Sequence, residues 1–278
     1  MVCDGDPPCS MYFETVDWAT SKPSITLATE GLLRDQWALR SQQCFSAAQA
    51  AGKFKGEIVP IEVPGRKGAT IFDTDEHNRP KTTLEALAAL KPAFRKDGTI
   101  TAGNAPGVNS GAAAVVLADR QWAEARGFDP VARGIAAVEP GMFGLGPIPA
   151  VRQALDRAGW KLGDVERIEI NEAFTAIVIA VTRELGLSPD IVNIDGGAIA
   201  HGHPIGATGA VLTTRLIHSL RRDGLRRHLV HRRRPGHCAC ARDYRLTSIE
   251  GRNNERDDRT PARLRYGITQ AKTNGVGG

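Results

Sequence analysis

Two histidines, His201 and His203, stand two positions apart inside the run Gly196-Gly-Ala-Ile-Ala-His-Gly-His-Pro-Ile-Gly-Ala-Thr-Gly-Ala210. Glycines at 196, 197, 202, 206 and 209 let such a backbone turn sharply and approach a ligand closely. A helix opening at Gly206 aims its free N–H groups and positive dipole end back at the loop. A histidine beside a helix N-terminus tends toward its neutral form, which is the form a general base needs. In an extended segment the two side chains point to opposite sides, so one of them faces a site. Two plainer readings stand beside this one. The run can be a Gly-rich turn carrying incidental histidines, and a metal site lacks a third ligand nearby in sequence. A second candidate is Asn171, first residue of Asn171-Glu172-Ala173-Phe174, where a strand gives way to a helix. Asn at such a turn is an ordinary N-cap, or an amide that orients a water toward a developing oxyanion. A third is the Gly- and Asn-rich stretch from Lys96 to Ala114, KDGTITAGNAPGVNSGAAA, which reads as a loop.

The elements that must position these residues alternate. An amphipathic helix is expected over 32–52, with Trp37, Leu39, Cys44, Phe45 and Ala48 on one face and Gly52 as its stop. Glu57 to Val63 reads as an edge strand interrupted by Pro60, and 64–80 as a charged loop. A short helix over 83–90 closes at Pro92, and a strand over 112–117 precedes a helix running to Ala125. From there strands at 132–138, 165–170 and 191–194 alternate with helices at 147–158, 172–185 and 206–220. The pattern implies a layered α/β fold. Residues 1–24 show no clean periodicity.

Composition narrows the class. The chain has 278 residues, 41% of them apolar and only 5% aromatic, which suits close helix–sheet packing. It holds no apolar run of about 18 residues, so no spanning helix is expected. The start has neither the basic nor the apolar region of a signal peptide, and the expectation is a soluble cytoplasmic protein. Five cysteines at 3, 9, 44, 238 and 240 are odd in number and irregular in spacing, which argues against a disulfide framework. Cys238 and Cys240 form a lone CxC with no second ligand pair for zinc. The net charge of +5 comes from the tail: residues 228–278 carry 11 basic and 5 acidic residues, leaving 25 and 26 in the rest. The body of the chain is therefore not basic, and neither nucleic acid nor membrane is an expected partner.

NEAF, GGAIAHGHPIGATGA, the upstream LEALAALKPAFRKDGTITAGNA and GLGPIPAVRQALDRAGW together resemble the thiolase family in order and spacing, from about Leu32 to Arg227. The resemblance implies a thiolase-like fold, of which this chain holds the C-terminal half with part of the inserted loop domain. The corresponding organisation is 1–24 unmatched, 25–110 a remnant of the N-terminal half and loop domain, 111–227 the C-terminal domain, and 228–278 a tail. It implies an acyltransferase that makes or breaks a carbon–carbon bond in an acyl-CoA by two-step acyl exchange through a cysteine. His203 would be the general base, and Asn171 would hold the water that helps polarise the thioester oxygen. Leu90, Phe94, Ala102, Ala173 and Phe174 match positions lining the coenzyme A channel. Pro106 stands where the family commonly has Ser, so a hydroxyl and a backbone donor are missing there. His201, where the family usually has a small or aliphatic residue, reads as a supporting residue. The implied substrates are CoA thioesters, with no resident cofactor and no metal, and homo-oligomers are usual.

Two sulfurs of the family pattern are not matched. None of Cys3, Cys9 and Cys44 has the context of the nucleophile. The second cysteine would fall near residue 232, where the chain reads His228-Leu-Val-His-Arg-Arg-Arg-Pro-Gly-His237. Permitted codons for that stretch, read one base later, encode a Thr-Leu-Cys-Ile-Gly-Gly-Gly run. The expectation is therefore an N-terminally truncated chain, inactive alone, whose residues after Arg227 are out of frame and without order. The alternative is a CoA-binding remnant or half-subunit acting through a partner.

Overall fold

The computed structural model describes residues 27–66, 68–115, 121, 125, 132–135, 144–223, 227–232, 237–242 and 268–271; for 27–30 and for the segments 132–135, 227–232, 237–242 and 268–271 it describes the backbone alone. The unmatched stretch 1–24 and most of the helix expected up to Ala125 lie outside these residues.

Helix α1 spans Leu27–Ala50, starting earlier than its apolar spacing suggests. Trp37, Phe45 and Ala48 are buried on it as expected, while Leu39 and Cys44 are only half-buried. The expected strand over Glu57 to Val63 shrinks to β1, Ile61–Val63, and pairs antiparallel with β2, Thr70–Phe72, inside what reads as a loop. Helix α2, Leu84–Ala88, is capped by the Thr83 hydroxyl, which accepts from the Ala86 amide at 3.2 Å. Strand β3 is Ser110–Ala113 and β4 is Ala132–Ile135.

The best-packed unit follows. Helix α3, Pro147–Ala158, carries two prolines in its first turn, where absent N–H groups cost little, and ends on left-handed Gly159. Strand β5, Arg167–Ile170, leads to helix α4, Thr175–Leu185, which ends on Gly186 in the same way. Ile168 and Ile170 face a core built from Val151, Ala154, Ile177 and Val181 of the two helices. Strand periodicity sends Arg167 and Glu169 to the opposite side of β5, and all four residues are buried.

That opposite side is closed by charge. The Arg167 guanidinium donates to Asp195 at 2.7 Å and to Glu169 at 3.0 Å. Lys53 donates to the other Asp195 oxygen at 2.7 Å, and Arg222 reaches Asp195 at 3.0 Å. Burial works to raise the Asp195 carboxyl, but Arg167 and Lys53 hold it well below the usual carboxylate range. Behind this group lies α6, Thr208–Asp223, after a four-residue helix α5, Ala198–His201. Arg215 of α6 stacks over the Phe54 ring at 4.9 Å and lies 3.9 Å from Glu57.

Two expectations need correction. Residues 191–194 do not form a strand: Pro189–Ile191 is a 3-10 turn and only Val192 bridges to Ile168. Pro189 has no N–H to give a ladder. Nor is the region after Arg227 without order throughout. Strand β6, Arg227–Arg232, lies parallel to β5, and β7, His237–Arg242, pairs with β6 and β4 to give the order β4-β7-β6-β5. Strand β8, Ile268–Ala271, pairs with β3. The free edge of β5 demands partners for its backbone N–H and C=O groups, and residues from 227 onward supply them.

Glu57 gives a test of the charged layer. Burial pushes its carboxyl up to about 7, with Arg215 opposing. A folded-state value above the ordinary 4.5 means that the native chain holds the extra proton between those limits, so stability falls as pH rises from 4.5 to 7. Glu57→Gln should abolish that fall and leave the variant more stable above this range by on the order of 2 kcal/mol. Urea unfolding across the range checks this; parallel curves for both proteins would contradict it.

Candidate active site

The site forms where β5 ends. Asn171 is only 2% exposed and is not an N-cap, because four residues separate the end of β5 from the start of α4 and the cap is Phe174. Its side-chain Nδ2 lies 3.5 Å from Nε2 of His203, which is 3% exposed. Asn171 Oδ1 is buried without a partner among the described residues. On the far side of the ring, His203 Nδ1 lies 2.6 Å from the Thr208 hydroxyl at the start of α6. The His203 amide donates to Gly107 O at 2.9 Å, which joins the histidine to the 98–109 loop.

His201 takes a different role. It sits on α5 rather than in an extended segment, is 2% exposed, and packs against the Phe45 ring at a centroid distance of 6.0 Å. Neither of its ring nitrogens makes a well-aligned hydrogen bond among the described residues, and the Gly202 backbone beside it only partly offsets the cost of burial. Burial, reinforced by Arg215, His77 and His203, drives its pKa well below 6.5. It is a neutral core histidine, and His203 alone of the pair faces Asn171.

Of the coenzyme-channel candidates, the two aromatic residues are in contact. Phe94 and Phe174 meet edge to face at 6.4 Å. Leu90 and Phe94 are exposed at 40% and 52%, and Val108 and Ile205 extend the same apolar character. Ala173 is buried, Ala102 is exposed and Pro106 is half-buried. Gly103 lies against Leu87 and Leu90, where a Cβ would come within 2.4 Å of a Leu87 methyl.

Three residues outside the expected site set organise it. Glu172, fully buried, accepts from Trp37 Nε1 at 2.9 Å, Ser41 Oγ at 2.8 Å, Asn193 Nδ2 at 3.0 Å and the Ile199 amide at 2.9 Å. Asn104 donates to Asp35 at 3.0 Å and to Thr99 O at 2.9 Å, and its own carbonyl accepts the α4 amide of Thr175 at 3.3 Å. Thr208 is the third. A carboxylate directly after a strand-end Asn, and a hydroxyl five residues after a loop His, are the sequence signals that mark two of them.

Comparison with known proteins now bears on this geometry. A model of the thiolase N-terminal domain matches residues 32–121, and one of the thiolase C-terminal domain matches 130–232. The chain belongs to the thiolase family. An acetyl-CoA acetyltransferase of Paracoccus denitrificans is 52% identical over 195 residues, covering 68% of this chain and 50% of that protein. A beta-ketoadipyl-CoA thiolase of Pseudomonas knackmussii is 50% identical over 222 residues, covering 78% and 54%. Among solved structures, the Bacillus anthracis acetyl-CoA acetyltransferase aligns with a TM-score of 0.73 at 41% identity, over 82% of this chain and 58% of that one. Human mitochondrial 3-ketoacyl-CoA thiolase in complex with CoA aligns at 0.70 and 38%, over 83% and 57%. The chain thus spans about half the length of the curated relatives it matches. The thiolase-like α/β fold read from the motifs is the fold of these neighbours. Among the described residues no helix is long and apolar enough to cross a membrane.

His201 supplies the test of the division between the two histidines. Its depressed folded-state pKa means that the unfolded chain takes up a proton first, so stability is lost as pH falls below 6.5. His201→Leu should remove that acid sensitivity and, by relieving an unsatisfied buried ring, raise stability by about 1–2 kcal/mol. Thermal melts on either side of pH 6.5 measure it; a variant less stable at every pH would show that the ring nitrogens have partners.

Proposed function

We propose that His203 and Asn171 form the base and oxyanion half of a thiolase-type acyltransferase acting on CoA thioesters. The observation that carries this reading is the buried juxtaposition of His203 Nε2 and Asn171, which stands three residues before Phe174 and its ring contact with Phe94. In the proposed exchange a cysteine thiol gives its proton to His203 Nε2 as its sulfur attacks the acyl thioester carbonyl, and the departing CoA sulfur takes that proton back. The acyl group then passes to the enolate carbon of acetyl-CoA, whose α-proton a base from outside this site has taken, and the cysteine sulfur is released. In thiolysis the sulfur instead attacks the 3-keto carbon, acetyl-CoA leaves as its enolate and takes the proton, and the acyl group passes to the sulfur of CoA. The chemistry is that of the thioester itself and calls for no resident cofactor. The relatives named as acetyl-CoA acetyltransferases and the CoA-bound thiolase neighbour support CoA thioesters as the substrate class.

The sulfur must come from outside this site. Cys44 is the sole cysteine between residues 27 and 223, and burial pushes its thiol up rather than down. A reactive cysteine needs the opposite shift. Residues 228–236, where the family places its second cysteine, contain none. We therefore propose that these residues are inactive alone and work with a further segment that bears the cysteine half.

The purified chain should bind acetyl-CoA in calorimetry and fail to cleave acetoacetyl-CoA with CoA. Mixed with the cysteine-bearing N-terminal half of a related thiolase, which restores the nucleophile, it should exchange acetyl groups between CoA thioesters, and His203→Ala should lower that rate by about a hundredfold or more. Turnover by the chain alone would overturn the need for a partner. A complemented rate indifferent to His203→Ala would overturn the base assignment.

A further inference from the structure

We infer that Thr208 is a positioning residue that fixes the proton of His203 on Nδ1 and so leaves Nε2 as the basic nitrogen; the functional meaning of this rests on the reading of His203 as the base. The inference follows from counting protons. The Thr208 hydroxyl lies 2.8 Å from the carbonyl oxygen of Pro204 and 2.6 Å from His203 Nδ1. A hydroxyl has one hydrogen to give. A carbonyl oxygen accepts only, so the hydrogen belongs to the Pro204 contact, and the hydroxyl oxygen must accept from the ring. That requires a hydrogen on Nδ1. The neutral ring then offers a lone pair at Nε2, matched to the Asn171 amide at 3.5 Å. The arrangement is rigid, because Thr208 is 1% exposed, its amide also donates to Pro204 O at 2.8 Å, and it opens a sixteen-residue helix. When Nε2 gains a proton, the Nδ1–H bond to Thr208 is kept and steadies the resulting cation.

The tautomer is directly observable. In chain labelled with 15N-histidine, with the His203 resonances assigned by their loss in His203→Asn, Nδ1 should be protonated and Nε2 pyridine-like. Thr208→Ser keeps the hydroxyl and should keep this pattern. Thr208→Val keeps the shape but removes the acceptor, and should shift the tautomer ratio toward Nε2–H by about tenfold. In the complemented assay, kcat should fall in the valine variant and return in the serine variant with KM little changed. A pyridine-like Nδ1 in the unsubstituted chain, or a valine variant with unchanged resonances, would overturn the inference. Correct tautomers without acyl transfer would leave the positioning role intact and sink only the catalytic reading, so the two failures are distinguishable.

Discussion

A carboxylate buried without solvent must be fully met by donors or it destabilises the fold, and Glu172 is the point where this constraint shapes the molecule. Its four donors come from two stretches far apart in sequence: Trp37 and Ser41 on α1, and Asn193 with the Ile199 amide on either side of the glycine pair. None of these can be displaced without orphaning a buried charge. The glycine run fits the same constraint. A Cβ on Gly197 would stand 2.2 Å from the Glu172 carboxyl carbon, and one on Gly196, whose φ is +76°, 2.6 Å from Phe45 Cβ. The loop therefore lies pressed between α1 and the strand end, a path that side chains at these two positions would close.

From this anchor the geometry of the candidate site follows by short connections. Asn171 precedes Glu172 by one residue, so fixing the carboxylate fixes the amide. His203 follows α5 by two residues, is tied to Gly107 through its backbone, and meets Thr208 at the opening of α6. Asp195 holds the other flank of the same loop by its bonds to Arg167, Lys53 and Arg222. Both faces of β5 are buried, one by apolar packing and one by paired charge, and the site sits at the end of that strand where the two meet.

Much of this was legible in the sequence, and what was not has physical reasons. Helix α3 lies at 147–158 as its Pro start and Gly stop predict, since both ends are set by local backbone preferences. The motif residues His203 and Asn171 stand close together, as the family resemblance implies. Periodicity failed where long-range partners decide. The 191–194 segment has strand composition but spends its polar groups on Asn193, which bonds both backbone groups of Ile170 through its side chain. The β1–β2 hairpin is a pair of three-residue strands too short to show alternation. The strands after Arg227 are stabilised by pairing with β5 and with one another, which composition and frame do not reveal. The anchoring role of Glu172 shows only in the fold, because its donors lie up to 135 positions away.

The central claim is that this chain, which spans about half the length of the relatives it matches, builds the His203–Asn171 geometry around Glu172 from its own residues. Native-state hydrogen exchange tests that most directly. The amides of Gly197 and Ile199 and the Trp37 indole proton should be protected as strongly as the Ile170 amide of β5, all of them opening only with global unfolding. Exchange of the Gly197 and Ile199 amides at loop-like rates, with β5 still protected, would show that the anchor is not formed and would contradict the account.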